Sequence, residues 1–171
     1  TAVKNSDGTF FIDNFSARNI PREYRLINTS TKNNFTIFKA DNPIKDYKTG
    51  SWKLFQIKNK EGLNLNCRLF KPVDFDSTKK YPVIVYLYNG PHSQMVTNTW
   101  MAGGELWYQY MAQKGFIVFT LDGRGTSYRG KAFEQIIHRQ LGTKEMEDQL
   151  AGIDYLKSLP FVDASRLGVH G

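Results

Sequence analysis

Three short runs in this chain carry residue types suited to chemistry. Tyr88-Asn89-Gly90-Pro91 leaves the apolar run 82–88 directly. If that run is a strand of an open sheet, Tyr88 lies at its carboxyl end, where such sheets bind ligands. A tyrosine hydroxyl there can donate a hydrogen bond to a developing oxyanion. The alternative is that Tyr88 packs its ring at the strand's end while Asn-Gly-Pro turns the chain. Asp122-Gly123-Arg124-Gly125-Thr126 follows a second apolar run. Its two glycines allow close backbone approach. A phosphate loop is excluded, because Tyr128 stands where G-x-G-x-x-G needs its third glycine, and no lysine with Ser/Thr forms a P-loop. Asp122 and Arg124 are therefore expected to shape a turn through structural hydrogen bonds. The third run is Arg166-Leu167-Gly168-Val169-His170-Gly171. An apolar segment ending in glycine is how the turn G-x-S-x-G begins, and that turn carries a nucleophilic serine. With Gly171 as its first glycine, the serine is expected two residues beyond the given sequence.

The remaining reactive residues suggest no second site. His92, His138 and His170 lie at no metal-ligand spacing from one another or from Cys67, so no metal is expected. His170 precedes the expected serine. A catalytic histidine in this topology follows serine and aspartate in chain order, so His170 reads as a strand residue. His138 sits beside Ile137 and Arg139 and reads as packed or surface. Cys67 is the one cysteine of 171 residues, which excludes a disulfide within the chain. The formal charge is +7, but the lysines and arginines are scattered and no basic run of five occurs. That argues against nucleic acid as a partner. No apolar run reaches the length of a membrane helix.

The elements that must position these residues fall into two textures. Residues 9–13, 22–27 and 35–38 read as short strands between polar turns, like part of a β-propeller blade. Residues 41–50 form a polar connector, and the domain boundary is placed there: 1–48 and 49–171. Beyond it, 51–58 and 63–69 read as an antiparallel hairpin. Leu63, Leu65, Cys67 and Leu69 alternate with Asn64, Asn66 and Arg68, which predicts a half-buried strand with one polar face. Residues 82–88 and 116–121 are continuous apolar runs, expected to be covered on both faces. Helices are predicted over 104–114, closed by Gly115, and from Thr143 to Pro160. Thr143 is the expected N-cap. Met146, Leu150, Ile153 and Leu156 form the expected buried stripe. Strand, helix, strand, helix, strand in this order predicts an α/β fold with a largely parallel sheet.

Taken in order, these motifs resemble the dipeptidyl peptidase IV enzymes of the prolyl oligopeptidase family of serine peptidases. The resemblance rests on Tyr81-Pro82, Tyr88 through Gln94 and Asp122-Gly123-Arg124-Gly125. Leu141-Gly142-Thr143 with Glu145, Glu147, Asp148 and Gln149 continues it, then Phe161-Val162-Asp163, Arg166 and Gly171. It covers residues 50–171 and extends weakly to the blade-like strands. It implies a β-propeller followed by an α/β-hydrolase domain, of which this chain would hold the last propeller segment and the first half of the catalytic sheet. It implies release of dipeptides with proline or alanine second, through an acyl-enzyme, without a cofactor. Tyr88 matches the oxyanion-hole tyrosine, and Asp122, Arg124 and Gly171 are structural residues near the site. Serine, aspartate and histidine would all follow Gly171, and this piece alone would be inactive. It would also tend to aggregate, with the strand before Gly171 left at an open edge. The family favours a homodimer and a periplasmic, cell-envelope or secreted location, with the cytoplasm as the alternative. An acylaminoacyl peptidase, an esterase of the same fold, or a non-catalytic binding scaffold are the alternatives.

Overall fold

The computed structural model describes residues 2–171, which group into two compact units. The first runs to Tyr47 and takes in Asn98–Gly103. Its strands β1 (Ala2–Lys4), β2 (Phe10–Ala17), β3 (Ile20–Asn28) and β4 (Asn34–Lys39) form an antiparallel meander in chain order. Turn chemistry dictates the corners. Asp7 Oδ1 accepts from the Thr9 N–H and hydroxyl, and Gly8 supplies the positive φ that follows. At the β3–β4 corner the Asn28 side chain accepts from the Ser30 and Thr31 N–H groups. The β2–β3 corner is held by Asn98–Gly103, where the Met101 N–H donates to Arg18 O at 3.1 Å. β1 has only three residues, too few to show an alternation, and was not expected from the sequence.

The second unit is Lys48–Thr97 with Gly104–Gly171. It holds β5 (Trp52–Lys58), β6 (Asn64–Phe70), β7 (Tyr81–Tyr86), β8 (Ile117–Asp122) and β9 (Val162–His170), in the order β5-β6-β8-β7-β9. β5, β6 and β8 run antiparallel, while β7 is parallel to both β8 and β9. The helices are α1 (Leu106–Gln113), α2 (Lys131–Gln135) and α3 (Lys144–Ser158). The α/β class expected from the sequence is the one observed. All six residues of β8 are buried, as its unbroken apolar run requires. Leu65, Cys67, Leu69, Val83, Val85, Ile117, Phe119, Leu121 and Leu156 close the core. β7 connects onward to β8 on one side, and the β8 crossover returns past it to β9 on the other. Strand order therefore reverses at β7, the position where open α/β sheets form their ligand crevice.

Three sequence expectations are corrected. β6 is not half-exposed: Arg68, on its polar face, has no exposed surface and donates to Met95 O and Thr120 Oγ1. α3 does not bury the predicted stripe. Met146 and Leu150 are more than half exposed, while Glu145, Asp148, Gln149, Gly152 and Leu156 are buried. The helix turns Gly152 toward the sheet, where a Cβ would sit 3.0 Å from Leu121 Cδ1 and 3.1 Å from Phe119 Cε1. Thr143 also makes no side-chain capping bond, since its backbone is already helical at φ −112°, ψ −72°. Glu145 Oε1 instead accepts from the Gly142 N–H at 2.6 Å.

β9 carries an irregularity with a clear cause. Between the pairs Tyr81↔Val162 and Val83↔Leu167, β7 advances two residues and β9 five. The excess at 163–166 is gathered by one side chain. Asp163 Oδ1 accepts from the Ser165 N–H and hydroxyl, and Oδ2 accepts from Arg166 Nε. These bonds, Ser165 first and Arg166 next, hold the Asp163 carboxyl at about 2, against an ordinary 3.8.

Two expectations follow. Leu156→Ala should cost about 2–5 kcal/mol, whereas Leu150→Ala should stay within about 0.5 kcal/mol, read by denaturant unfolding. Because the folded Asp163 value lies below the unfolded one, its stabilisation is complete above the ordinary carboxylate value and drains away as pH falls toward 2. Asp163→Asn should therefore flatten the acid-side fall of the melting temperature between pH 5 and pH 2; an unaltered profile would exclude this carboxyl as a contributor.

Candidate active site

The carboxyl ends of β7, β8 and β9 bring the sequence-predicted residues to one edge of the second unit. Tyr88 stands two residues past β7, with its side chain 63% exposed and its hydroxyl without a hydrogen-bond partner among the described residues. The backbone before it is pinned to β9: the Leu87 N–H donates to His170 O at 3.0 Å. Gly171 is packed so closely there that a Cβ would collide with the Leu87 carbonyl oxygen. A side chain at 171 is thus excluded by the strand that leads to Tyr88. The His170 ring lies 4.9 Å from Trp107 and 5.7 Å from Tyr86, as an aromatic neighbour within the sheet's end.

Asp122 is the last residue of β8 and is 3% exposed. Its carboxylate accepts from the Met95 and Val96 N–H groups, each at 2.9 Å. Burial raises its carboxyl above the usual range, and those two donors pull against the rise. Asp122 thereby fastens the far end of the loop that Tyr88 begins. Ser93 fastens the middle: its hydroxyl donates to Gly90 O, and its carbonyl accepts from the Ser127 N–H.

Arg124 is buried, with 1% of its side chain exposed. Its Nε and Nη2 meet Asp148 at 2.9–3.2 Å, and Asp148 has no exposed side-chain surface. The same guanidinium reaches Glu61 at 2.8 Å and Glu147 at 2.9 Å. Burial alone would weaken its basicity, but the bonds from Asp148 and Glu61 overcome that and raise it above its ordinary value. The arginine is therefore a fixed cation. Asp148 also accepts from the Arg124 N–H at 2.7 Å and from Asn59 Nδ2 at 2.9 Å. One carboxylate thus joins α3, the β8 loop and the β5–β6 corner.

Cys67 is unsuited to nucleophilic work. It is fully buried, and burial with the nearby Asp122 charge pushes its thiol up to about 12. His92 meets Glu134 at 3.5 Å and lines, with Pro91, His138 and Leu141, an open cavity of about 290 Å³. Tyr88 is not part of that cavity's lining. No group of three metal-ligating side chains occurs among the described residues.

Sequence reasoning identified Asp122 and Arg124 but not their partners. Glu147 and Asp148 carried the family resemblance at the start of the second helix, with no partner assigned to them. The available signal was an acidic pair early in α3 together with an arginine between glycines.

Residues 105–171 match the model of the prolyl oligopeptidase family. The chain is 34% identical over 137 residues to dipeptidyl peptidase 8 of Homo sapiens, covering 80% of this chain and 15% of that protein. A crystal structure assigned to dipeptidyl aminopeptidase IV from Bacteroides ovatus superposes on the whole chain with a TM-score of 0.96 at 44% identity. Porphyromonas gingivalis dipeptidyl peptidase 4 covers 99% of it with a TM-score of 0.91 at 31% identity. The chain spans only 24% of each of those two structures. On these likenesses the five-stranded sheet is the N-terminal half of an α/β-hydrolase sheet, and the meander before it consists of β-propeller blade strands.

The buried cluster sets a graded expectation. Arg124→Ala strands Asp148 without its counter-ion and should cost about 3–5 kcal/mol. Glu61→Gln, at a half-exposed partner, should cost under about 1 kcal/mol. Equal costs in denaturant unfolding would contradict a hierarchy centred on Asp148.

Proposed function

Because the chain belongs to the prolyl oligopeptidase family, we propose that it supplies the oxyanion-stabilising half of a serine dipeptidyl peptidase site within a longer protein. In this reading residues 1–48 close a propeller and 49–171 open the catalytic domain. The substrates are peptides with proline or alanine second from the N-terminus. One observation carries the reading: Tyr88 is exposed just past the carboxyl end of β7, its hydroxyl has no hydrogen-bond partner among the described residues, and the preceding Leu87 is bonded to His170 and packed on Gly171.

The rest of the chemistry is that of a serine peptidase of this family. A serine on the turn continuing β9 attacks the carbonyl carbon of the second residue, proline or alanine. A histidine takes the hydroxyl proton and returns it to the leaving amine, giving an acyl-enzyme. Water then attacks the acyl carbon and releases the dipeptide. In both steps the carbonyl oxygen gains negative charge, and the Tyr88 O–H donates to it. The donor needs to be preorganised, because a hydroxyl that must be reoriented loses much of its advantage over water. Asp122 and Arg124 act at a distance from the reacting atoms, by fixing the loops around Tyr88.

Tyr88→Phe in the full-length protein should lower kcat by about 10²–10³ and leave KM nearly unchanged. The assay is hydrolysis of a Gly-Pro chromogenic substrate. An undiminished kcat would remove Tyr88 from the mechanism, and failure of the intact wild-type protein to cleave this substrate would remove the dipeptidyl assignment.

A further inference from the structure

Tyr88 is held on its strand side by Leu87, but the residue after it needs a hold of its own. That residue is Asn89, half-buried and followed by Gly90 at φ +121°. A loop with a glycine there and an exposed tyrosine before it has little intrinsic preference for one orientation. The restraint comes from α3. Gln149 is 5% exposed, and its Nε2 donates at 3.0 Å both to Asn89 Oδ1 and to Leu121 O. The Leu121 carbonyl can only accept, so it fixes which end of the Gln149 amide faces the sheet. Asn89 is then obliged to present its oxygen. Gln149 itself cannot wander, because the neighbouring Asp148 is locked to Arg124 and Gly152 is seated on Leu121 and Phe119.

We propose that the Gln149–Asn89 pair is a positioning device that sets the Tyr88 hydroxyl for oxyanion stabilisation. The proposal rests on Tyr88 being the oxyanion donor. Neither Gln149 nor Asn89 touches the reacting atoms. Gln149 carries the rigidity of α3 and β8 to the residue next to the donor, and Asn89 converts it into a fixed backbone direction for Tyr88. A ground-state substrate gains little from this restraint, whereas the transition state, with its charged oxygen, gains the full benefit.

The test is a kinetic cycle in the full-length protein with a Gly-Pro chromogenic substrate. Asn89→Ala removes the side-chain acceptor on the loop side and leaves the Gln149–Leu121 bond intact. It should lower kcat about three- to tenfold at nearly constant KM, the scale of one hydrogen bond. Gln149→Met should do the same, and the double variant should lose no more than either single one. In a Tyr88→Phe background, Asn89→Ala should change kcat less than twofold, because no hydroxyl remains to be placed. A purely structural role would instead lower the melting temperature and act equally in both backgrounds. If Tyr88→Phe alone has no effect, the donor assignment fails. If Tyr88→Phe is damaging but Asn89→Ala leaves kcat unchanged, or acts equally in both backgrounds, the positioning role is overturned while the donor stands. Should Gln149→Met fail to fold, Asn89→Ala with its Tyr88→Phe partner decides the matter alone.

Discussion

A carboxylate with no access to water must be answered by donors on every side or not be charged at all. Asp148 is answered by the Arg124 guanidinium, the Arg124 backbone N–H and the Asn59 amide. Those donors come from the loop after β8 and from the corner between β5 and β6, while the carboxylate stands on α3. The three elements are therefore located by one ion pair, whose fork geometry tolerates little displacement. Much else follows from that constraint. It fixes the rotation of α3, seats Gly152 against Leu121 and Phe119, and leaves Met146 and Leu150 facing outward.

This is also why the sequence was legible in some places and opaque in others. β7 and β8 announce themselves as unbroken apolar runs, and the position of Tyr88 past β7 follows from them. The alternation of β6 was equally plain, but its polar face was misjudged. Arg68 looks like a solvent residue until Thr120 and the Met95 carbonyl are brought across to meet it. α3 misled for the same reason. Hydrophobic periodicity assumes that the buried face is the apolar one, and here the buried face is chosen by an arginine contributed from 24 residues upstream. Partners that far apart leave no periodic mark. Likewise the looped segment 163–166 of β9 has no hydrophobic signature. It is a local hydrogen-bond solution centred on Asp163, visible only once the pairing with β7 is known.

The loop beginning at Tyr88 illustrates how a segment without regular structure can still be well defined. Its backbone polar groups are taken from several directions: the Asp122 carboxylate at the Met95 and Val96 N–H groups, the Ser127 N–H at the Ser93 carbonyl, and the His170 carbonyl at the Leu87 N–H. The exposed phenol sits at one end of a frame whose carboxylate support, Asp122, is buried. Rigid support behind an accessible polar group is what stabilisation of a transient charge requires, since the cost of ordering the donor is met during folding and not during reaction.

Cys67 gives the sheet a built-in witness. Its thiol lies in the middle of the β5–β6–β8 layer with no exposed surface, and its acidity is suppressed well beyond neutral pH. A folded molecule therefore shields it twice, by steric exclusion and by keeping the reactive thiolate scarce. Within this chain no other cysteine competes for a thiol reagent. The rate at which Cys67 is labelled under native conditions thus counts how often the centre of the sheet opens, and converts a packing detail into a clock for the fold's rarest excursions.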